Sequence, residues 1–411
     1  MSNQGKIDIL TRVEGHGRVE LVRKGRRIID ARLNLHESPR LFEALLLGRR
    51  FDEVAEIACR ICSICSTVHK VAALQAIEQA LDVRISRQTD LLRQLAVQGG
   101  QIESHALHIF CLALPDYLGV GGFPALASVA PLALQQGLEI KALGNLIQET
   151  VGGRAIHPFN LLPGGLGAVP GAERLQFLTD RLSAIRDSIT ATTAFLSSLD
   201  EALPELPALG SCAVSGGPPL FGDHLTTSSG LKIASNLAAA WLNECDQNHS
   251  HAKASRFDGK SIFMVGPLAR LNLSMPCEYE KLLGGVSIKF SMKARTIELQ
   301  QAVEQAMALI AQLLDNGLVK ETPAAIIPGA GEGIALVEAP RGVLLHSYRF
   351  DERGICRAAN IITPTAINQA AIETSLRSLI PLINDSGYEH IKLSCERLIR
   401  CFDPCISCAV H

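Results

Sequence analysis

The sequence predicts an α+β fold, mainly α-helical with β elements at its periphery. Three observations carry this: a β-rich opening, a change to helical periodicity after Leu41, and strand-like patterning that returns near Ile334. In the opening, residues 6–10, 18–23 and 28–35 are rich in Ile, Val and Leu, and Lys24-Gly25 lies between the latter two as a hairpin turn. Further on, Leu74, Ile77 and Leu81, then Leu91, Leu92 and Leu95, recur every three or four residues, as in helices that bury one face. Residues 132–151, 174–203, 279–318 and 367–382 read as helices in the same way. The stretches 119–124, 152–171, 210–222 and 323–333 are dense in Gly and Pro. They lack the make-up of a tether and are expected as ordered loops between packed helices. A second hairpin is expected from strands at 335–348 and 355–362, joined by Asp351-Glu352-Arg353-Gly354. The chain reads as one large domain over 1–411, with a β portion at 1–40 and a helical bundle at 41–330. The β hairpin follows at 331–365, and C-terminal helices with a cysteine motif fill 366–411.

Of the 411 residues, 47% are hydrophobic and 19% charged, the balance of a folded globular chain. A formal net charge of −2 gives no general attraction to nucleic acid or to an anionic membrane surface. The N-terminus lacks the basic-then-apolar pattern of a signal peptide, and no apolar run is long enough to be a transmembrane segment. The expected location is cytoplasmic. There a disulfide framework is disfavoured, so the 12 cysteines call for burial, metal ligation or redox chemistry. Isolated cysteines such as Cys111, Cys212, Cys245, Cys277 and Cys356 are expected as buried small hydrophobes.

Two cysteine pairs stand apart. Arg60-Ile61-Cys62-Ser63-Ile64-Cys65-Ser66-Thr67-Val68-His69 leads into a helical pattern, and Asp403-Pro404-Cys405-Ile406-Ser407-Cys408-Ala409-Val410-His411 closes the chain. Thiolates three apart can hold one metal, and soft sulfur selects zinc, copper(I), iron-sulfur clusters, or nickel with low-spin iron. The simplest reading of two such pairs is a structural zinc site. Three features count against it: the pairs lie at opposite ends of the chain, each is followed by a histidine, and the second occupies a terminus, where fraying makes a site imprecise.

The two stretches resemble the cysteine motifs of nickel-iron hydrogenase large subunits, Arg-x-Cys-x-x-Cys-x-x-x-His and Asp-Pro-Cys-x-x-Cys-x-x-His. Further segments follow in that family's order: Arg12-Val13-Glu14-Gly15-His16, Arg40-Leu41-Phe42-Glu43, Ser104-His105 through Asp116, and Gly152-Gly153-Arg154 with His157-Pro158. Val265-Gly266-Pro267-Leu268-Ala269-Arg270, Glu338-Ala339-Pro340-Arg341-Gly342 and Thr363-Pro364-Thr365 complete the series. The resemblance spans nearly the whole chain and is strongest to the soluble, cofactor-coupled cytoplasmic hydrogenases.

The resemblance implies a helical bundle of the hydrogenase large-subunit type that interconverts dihydrogen with protons and electrons. Cys62 and Cys405 would be terminal ligands of nickel, and Cys65 and Cys408 would bridge it to an iron carrying carbon monoxide and cyanide. Splitting dihydrogen heterolytically needs a Lewis-acidic metal and a nearby base, and a terminal thiolate such as Cys405 can take the proton. Glu14 would be the first proton relay. Arg341 would sit above the metals, with Asp116 and Asp403 as carboxylates that pair with it. Pro340 beside it, and Pro364 with Thr365, would line the cofactor and its cyanide ligands. A magnesium ion would be held by Glu43, the carbonyl of Ile361 and the imidazole of His411, anchoring the terminus. His69 would hydrogen-bond a bridging sulfur, and His16 would be structural.

Departures from the common pattern are Ser63 in place of a frequent glycine, Phe402 in place of a frequent tyrosine, and the extra Cys59 and Cys401. No further cysteine group has iron-sulfur spacing and no Gly-x-Gly-x-x-Gly follows a strand, so electrons need a carrier elsewhere. The resemblance implies a partner small subunit bearing iron-sulfur clusters, further electron-transfer subunits, and a maturation protease that trims the chain after His411. The electron acceptor, whether NAD(P), a deazaflavin, ferredoxin or a disulfide reductase, is not encoded here. A hydrogen-sensing regulatory subunit with little turnover would share the same site. The quinone-reducing relative in the respiratory complex lacks the cysteine pairs.

Overall fold

The computed structural model describes residues 3–7, 10–217, 220–276 and 279–411. The opening forms a three-stranded antiparallel sheet of Asn3–Ile7, Gly17–Lys24 and Arg27–Leu35. The expected hairpin turn is present, with Lys24 paired to Arg27 across it. Alternation drives the pairing, because Val19, Leu21, Ala31 and Leu33 are buried while their neighbours face outward. Of the strand expected at 6–10, residues 6 and 7 belong to Asn3–Ile7, while Asp8 and Ile9 lie outside the described residues.

Long helices follow where the period predicted them, at Ser66–Ala80, Arg87–Ala106, Pro131–Gly152, Ala172–Ser198 and Pro364–Ile383, and Tyr388–Phe402 is a further helix of the C-terminal region. Ser86 caps one of them, its hydroxyl accepting from the Thr89 N–H at 3.0 Å. The helix expected at 279–318 is interrupted. Glu280–Leu283 stops at Gly284, whose φ of +84° favours glycine, and the long helix begins afresh at Ser291–Asn316.

The second sheet is larger than the expected hairpin. Residues 335–348, read as one strand, form two strands, Gly331–Ala339 and Gly342–Phe350, which fold back on each other at Pro340-Arg341; Cys356–Ile362 pairs next to them. The apolar run on both sides of Pro340 hid the turn. On the other edge the stretch 210–222, expected as a loop, supplies strands Gly210–Gly216 and Phe221–Thr227, the latter pairing with Gly331–Ala339. Its Gly, Ser and Ala residues concealed a buried strand rather than a loop. Phe263–Met264 joins in parallel and Lys232–Ala234 pairs with Phe221–Thr227, giving seven strands.

One hydrophobic cluster of the helical region contains all four motif cysteines, and a second ties the N-terminal sheet to the C-terminal helices. The last eight residues are threaded into the protein. The Arg40 N–H donates to the Val410 carbonyl at 3.0 Å and the Ile406 N–H to the Glu14 carbonyl at 3.2 Å. Gly15 makes that approach possible, since a Cβ there would lie 2.7 Å from Ile406 Cβ and its φ is +83°. No helix among the described residues is long and apolar enough to cross a membrane.

Candidate metal centre

Cys62 leaves a short 3-10 turn in extended conformation, and Cys65 caps the N-terminus of Ser66–Ala80, where the helix dipole favours a thiolate. Cys405 stands at the N-cap of the final turn of helix, Ile406–Ala409, and Cys408 lies within it. Sequence separation vanishes in the fold. Cys62 Sγ lies 3.4 Å from Cys405 Sγ, Cys65 Sγ 3.2 Å from Cys408 Sγ, and Cys405 Sγ 2.8 Å from Cys408 Sγ. All four thiols are free and buried, with ligand atoms within 4.8 Å of one another. Arg40 staples the two motifs together, its guanidinium donating to both the Ile61 and Ser407 carbonyls. Sequence reading passed over Arg40, although a cation beside the quoted Glu43 segment was a usable signal.

Burial pushes the Cys405 and Cys408 thiols well above the ordinary value. Four sulfurs in one buried site cannot ionise together without a cation among them, so the donor set fits a thiophilic metal. A small cavity beside the sulfurs is walled by Pro340, Arg341, Pro364 and Thr365, with Cys65, Cys405 and Cys408 as its floor. Within it Arg341 Nη1 is buried without a hydrogen-bond partner among the described residues. An unsatisfied guanidinium nitrogen facing a metal-competent site fits a ligand that accepts a hydrogen bond.

A family model described as nickel-dependent hydrogenase matches residues 40–138 and 226–411. The chain belongs to the nickel-dependent hydrogenase family. It is 37% identical to sulfhydrogenase 2 subunit alpha of Pyrococcus furiosus, over 99% of this chain and 98% of that one. Sulfhydrogenase 1 subunit alpha of the same organism is 32% identical, over 98% and 97%. The solved structure of an NAD+-reducing NiFe hydrogenase in its hydrogen-reduced state superposes with a TM-score of 0.90 at 26% identity, covering 100% of this chain and 99% of that chain. The protein is the catalytic large subunit of a nickel-iron hydrogenase, and its four converging cysteines are a metal-binding site that suits a nickel-iron centre.

Around this hydrogenase site the structure arranges the remaining residues. Glu14 lies beside Cys405, its backbone bridging to it, and its carboxylate accepts from the Ser407 N–H at 3.1 Å and from the Ser407 hydroxyl. Burial, and then the negative Cys62 sulfur, push the Glu14 pKa up against the opposing pull of Arg341. Arg341 occupies the strand turn and donates from Nε to the Asp403 carbonyl at 2.9 Å and from Nη2 to its carboxylate at 3.3 Å. Burial opposes ionisation of Asp403, but Arg341 beside it holds that carboxyl below its usual range. The Thr365 hydroxyl accepts from the Cys405 N–H at 2.9 Å.

Asp116 is a correction. It was expected to pair with Arg341, whereas its two oxygens take Arg400 at 2.7 and 2.9 Å and Arg12 at 2.6 Å. The π-helical stretch Leu107–Ala113 ahead of it turns the carboxylate toward the Tyr388–Phe402 helix, where Arg400 meets it in a two-pronged bond. Asp116 thereby joins the Arg12–Glu14 segment to the last long helix. His16 pairs with Glu37 at 2.9 Å on the surface.

The turn that carries Arg341 is gripped from behind by Arg270, which sequence reading quoted only as part of a motif. Arg270 donates to the Glu338 carboxylate, to the Ala339 carbonyl at 3.2 Å and to the Pro340 carbonyl at 3.4 Å. Its other edge takes Glu298 at 2.6 Å twice, and His105 reaches the same carboxylate at 3.2 Å. Gly266 allows the contact, since a Cβ there would lie 2.9 Å from the Arg341 carbonyl oxygen. Replacing Arg270 with methionine leaves Glu298 and Glu338 buried without their cation, so a loss of about 3–5 kcal/mol is expected in denaturant unfolding.

At the C-terminus, His411 Nδ1 donates to the Cys408 carbonyl at 2.6 Å, which leaves Nε2 directed at Glu43 Oε1, 4.0 Å away. Burial lowers the His411 pKa, against the opposing pull of Glu43 and of hydrogen bonds to the Cys408 and Ile361 backbone. The Ile361 N–H donates to Glu43 Oε1 at 2.8 Å, so the structure brings Glu43, Ile361 and His411 together, with the amide and not the carbonyl of Ile361 on the carboxylate. Lys253 and Glu244, absent from the sequence reading, border this group at 3.8 Å from Glu43 and 3.4 Å from each other. Burial raises the Glu244 carboxyl to about 7.

Isolated cysteines divide. Cys111, Cys212 and Cys356 are buried as expected, Cys277 lies outside the described residues, and Cys245 is exposed. Cys245 was read as core, but its strand, Leu242–Gln247, pairs only with Ser250–Phe257 and leaves much of its length in solvent. Cys59 donates to the Glu56 carbonyl at 3.2 Å, and burial lifts the Cys401 thiol to about 11, so both are unreactive packing thiols rather than ligands.

Proposed function

We propose that this subunit splits dihydrogen reversibly into protons and electrons and passes the electrons to iron-sulfur clusters of a partner small subunit. The observation that carries the reading is the convergence of four buried sulfurs from both ends of the chain. When bound, a nickel-iron centre with carbon monoxide and cyanide on iron supplies the Lewis acidity that polarises the H–H bond. Cys62, Cys65, Cys405 and Cys408 would hold that centre through their sulfurs.

The chain's own groups then handle the proton. Cys405 Sγ takes it, and the Glu14 carboxyl, next to Cys405 and held by Ser407, receives it and hands it outward. Burial raises the Glu14 pKa, the direction that suits a carboxyl that must accept as well as release a proton. Arg341 offers Nη1 as a donor into the cavity, and Thr365 fixes the Cys405 backbone. The relatives are named as subunits of hydrogenases, in keeping with a clustered partner and further electron-transfer subunits. Steady-state hydrogen uptake with an artificial dye acceptor tests the reading. Turnover with one nickel per large subunit is expected, whereas a loaded protein that binds hydrogen with negligible turnover is a sensor instead.

Glu43, the Ile361 carbonyl and His411 hold magnesium in this reading, and the ion pins the terminus that carries Cys405 and Cys408. Magnesium at one hundred times its dissociation constant is then expected to stabilise the protein by about 2.7 kcal/mol. Glu43→Gln should abolish that gain in thermal unfolding, and an unchanged gain would place the ion elsewhere.

A further inference from the structure

His69 stands at the start of a buried chain of hydrogen bonds that ends on a sulfur. Its Nε2 lies 3.6 Å from Cys408 Sγ, and its Nδ1 lies 3.0 Å from His346 Nε2. His346 Nδ1 in turn lies 2.6 Å from the Tyr348 hydroxyl. His346 and Tyr348 are two apart on Gly342–Phe350 and so share the strand face that packs under Ser66–Ala80, the helix bearing His69. Their exposures, 1% for His69, 0% for His346 and 1% for Tyr348, leave no room for water to substitute as partner.

We infer that His346 and Tyr348 are positioning residues that lock His69 in one tautomer, with Nε2–H held as a permanent donor to Cys408 Sγ. The inference rests on the reading of Cys408 as a metal-ligating thiolate. A neutral imidazole has one donor and one acceptor nitrogen, so the chain has two possible senses. In one, the tyrosine O–H donates to His346 Nδ1, His346 Nε2–H donates to His69 Nδ1, and His69 Nε2–H donates to sulfur. In the other every bond is reversed. A nitrogen lone pair then faces an anionic sulfur, and the tyrosine proton has no acceptor among the described residues. Each of these faults costs about 1–3 kcal/mol in a buried site, so the first sense prevails. Both rings are fully buried, which disfavours a charge on either.

The chain is also polarised along its length, each donor strengthened by the one behind it. Its effect falls on one side of the site. Cys408 receives the histidine, while Cys62 receives the Cys65 N–H, at 3.3 Å, and no imidazole among the described residues. A donor on a bridging sulfur draws electron density from the metals, so its removal should make them more electron-rich.

The test is infrared spectroscopy of the intact, metal-loaded hydrogenase in the cyanide and carbonyl stretch region, with metal analysis and steady-state kinetics on each variant. His346→Phe cuts the chain, and its bands are expected at lower wavenumber, with kcat down about 10-fold and KM unchanged. Tyr348→Phe removes a single oxygen, so it keeps the test decisive if His346→Phe fails to load metal. It is expected to split each band as both tautomers become populated. His346→Gln keeps an amide N–H near the Nε2 position and should restore the bands of the unaltered enzyme. Loaded Tyr348→Phe and His346→Phe proteins with unshifted, unsplit bands would overturn the inference alone. An unaltered protein with no such bands would overturn both it and the reading of the site.

Discussion

Replacing Cys405 with serine is expected to leave a folded protein that carries no nickel and whose hydrogen uptake falls by more than about 10³-fold, over ~4 kcal/mol of barrier. Cys405 Sγ touches two of the other three sulfurs, and a shorter, harder hydroxyl offers nickel a poor ligand there. The fold should survive. Serine is close in size, and the backbone ties through the Cys405 N–H to Thr365 and the Ile406 N–H to Glu14 do not involve the thiol. The same substitution removes the base that takes the proton, so metal loss and loss of turnover arrive together. Nickel content by elemental analysis and dye-linked uptake check the prediction. A Cys405→Ser protein with full nickel and turnover would remove Cys405 from the ligand set.

Glu14→Gln is expected to keep both metals and the KM for hydrogen while turnover falls about 10²–10³-fold, within the span of lost general acid–base groups. The amide has the same shape and still presents an oxygen to Ser407, so the geometry around Cys405 is retained. It cannot carry a proton. Burial, then the neighbouring Cys62 charge, raise the carboxyl of the native residue, and these shifts are what equip it to exchange protons both ways. Full turnover in a metal-replete Glu14→Gln protein would assign the relay to another group.

How much of this was legible in the sequence depended on whether a residue's role was written in local spacing. The N-terminal hairpin was, because alternation and Lys24-Gly25 are local signals. The helices were, because a helix burying one face repeats every three or four residues. The second sheet was not. Gly210–Gly216 is built of Gly, Ser, Ala, Val and Cys, whose small side chains suit close strand packing but read as a loop. The turn at Pro340-Arg341 was invisible because Val337 and Val343 continue the same apolar run on either side of it, although they lie in neighbouring strands.

The site divides along similar lines. The cysteine pairs announced themselves by spacing, and their histidines pointed away from zinc; the structure then put His69 on Cys408 and His411 on Glu43. Asp116 was placed with the wrong arginine, since several buried arginines compete for each carboxylate and only the π-helical turn before Asp116 decides between them. Arg270 and His346 act through contacts far off in sequence, to Glu338 and to His69, and Tyr348 acts through His346, so no local motif ties them to the site. A charged or imidazole side chain inside an apolar strand or motif was the available hint. His346, flanked by Leu344 and Leu345, is such a case.

The most direct test of the central claim is infrared spectroscopy of the purified, unaltered chain with its partner, read together with metal analysis. The account predicts sharp bands in the cyanide and carbonyl stretch region and one nickel per complex, with iron exceeding nickel by the content of the partner's clusters. Zinc in the four-cysteine site, with no bands in that region, would contradict it.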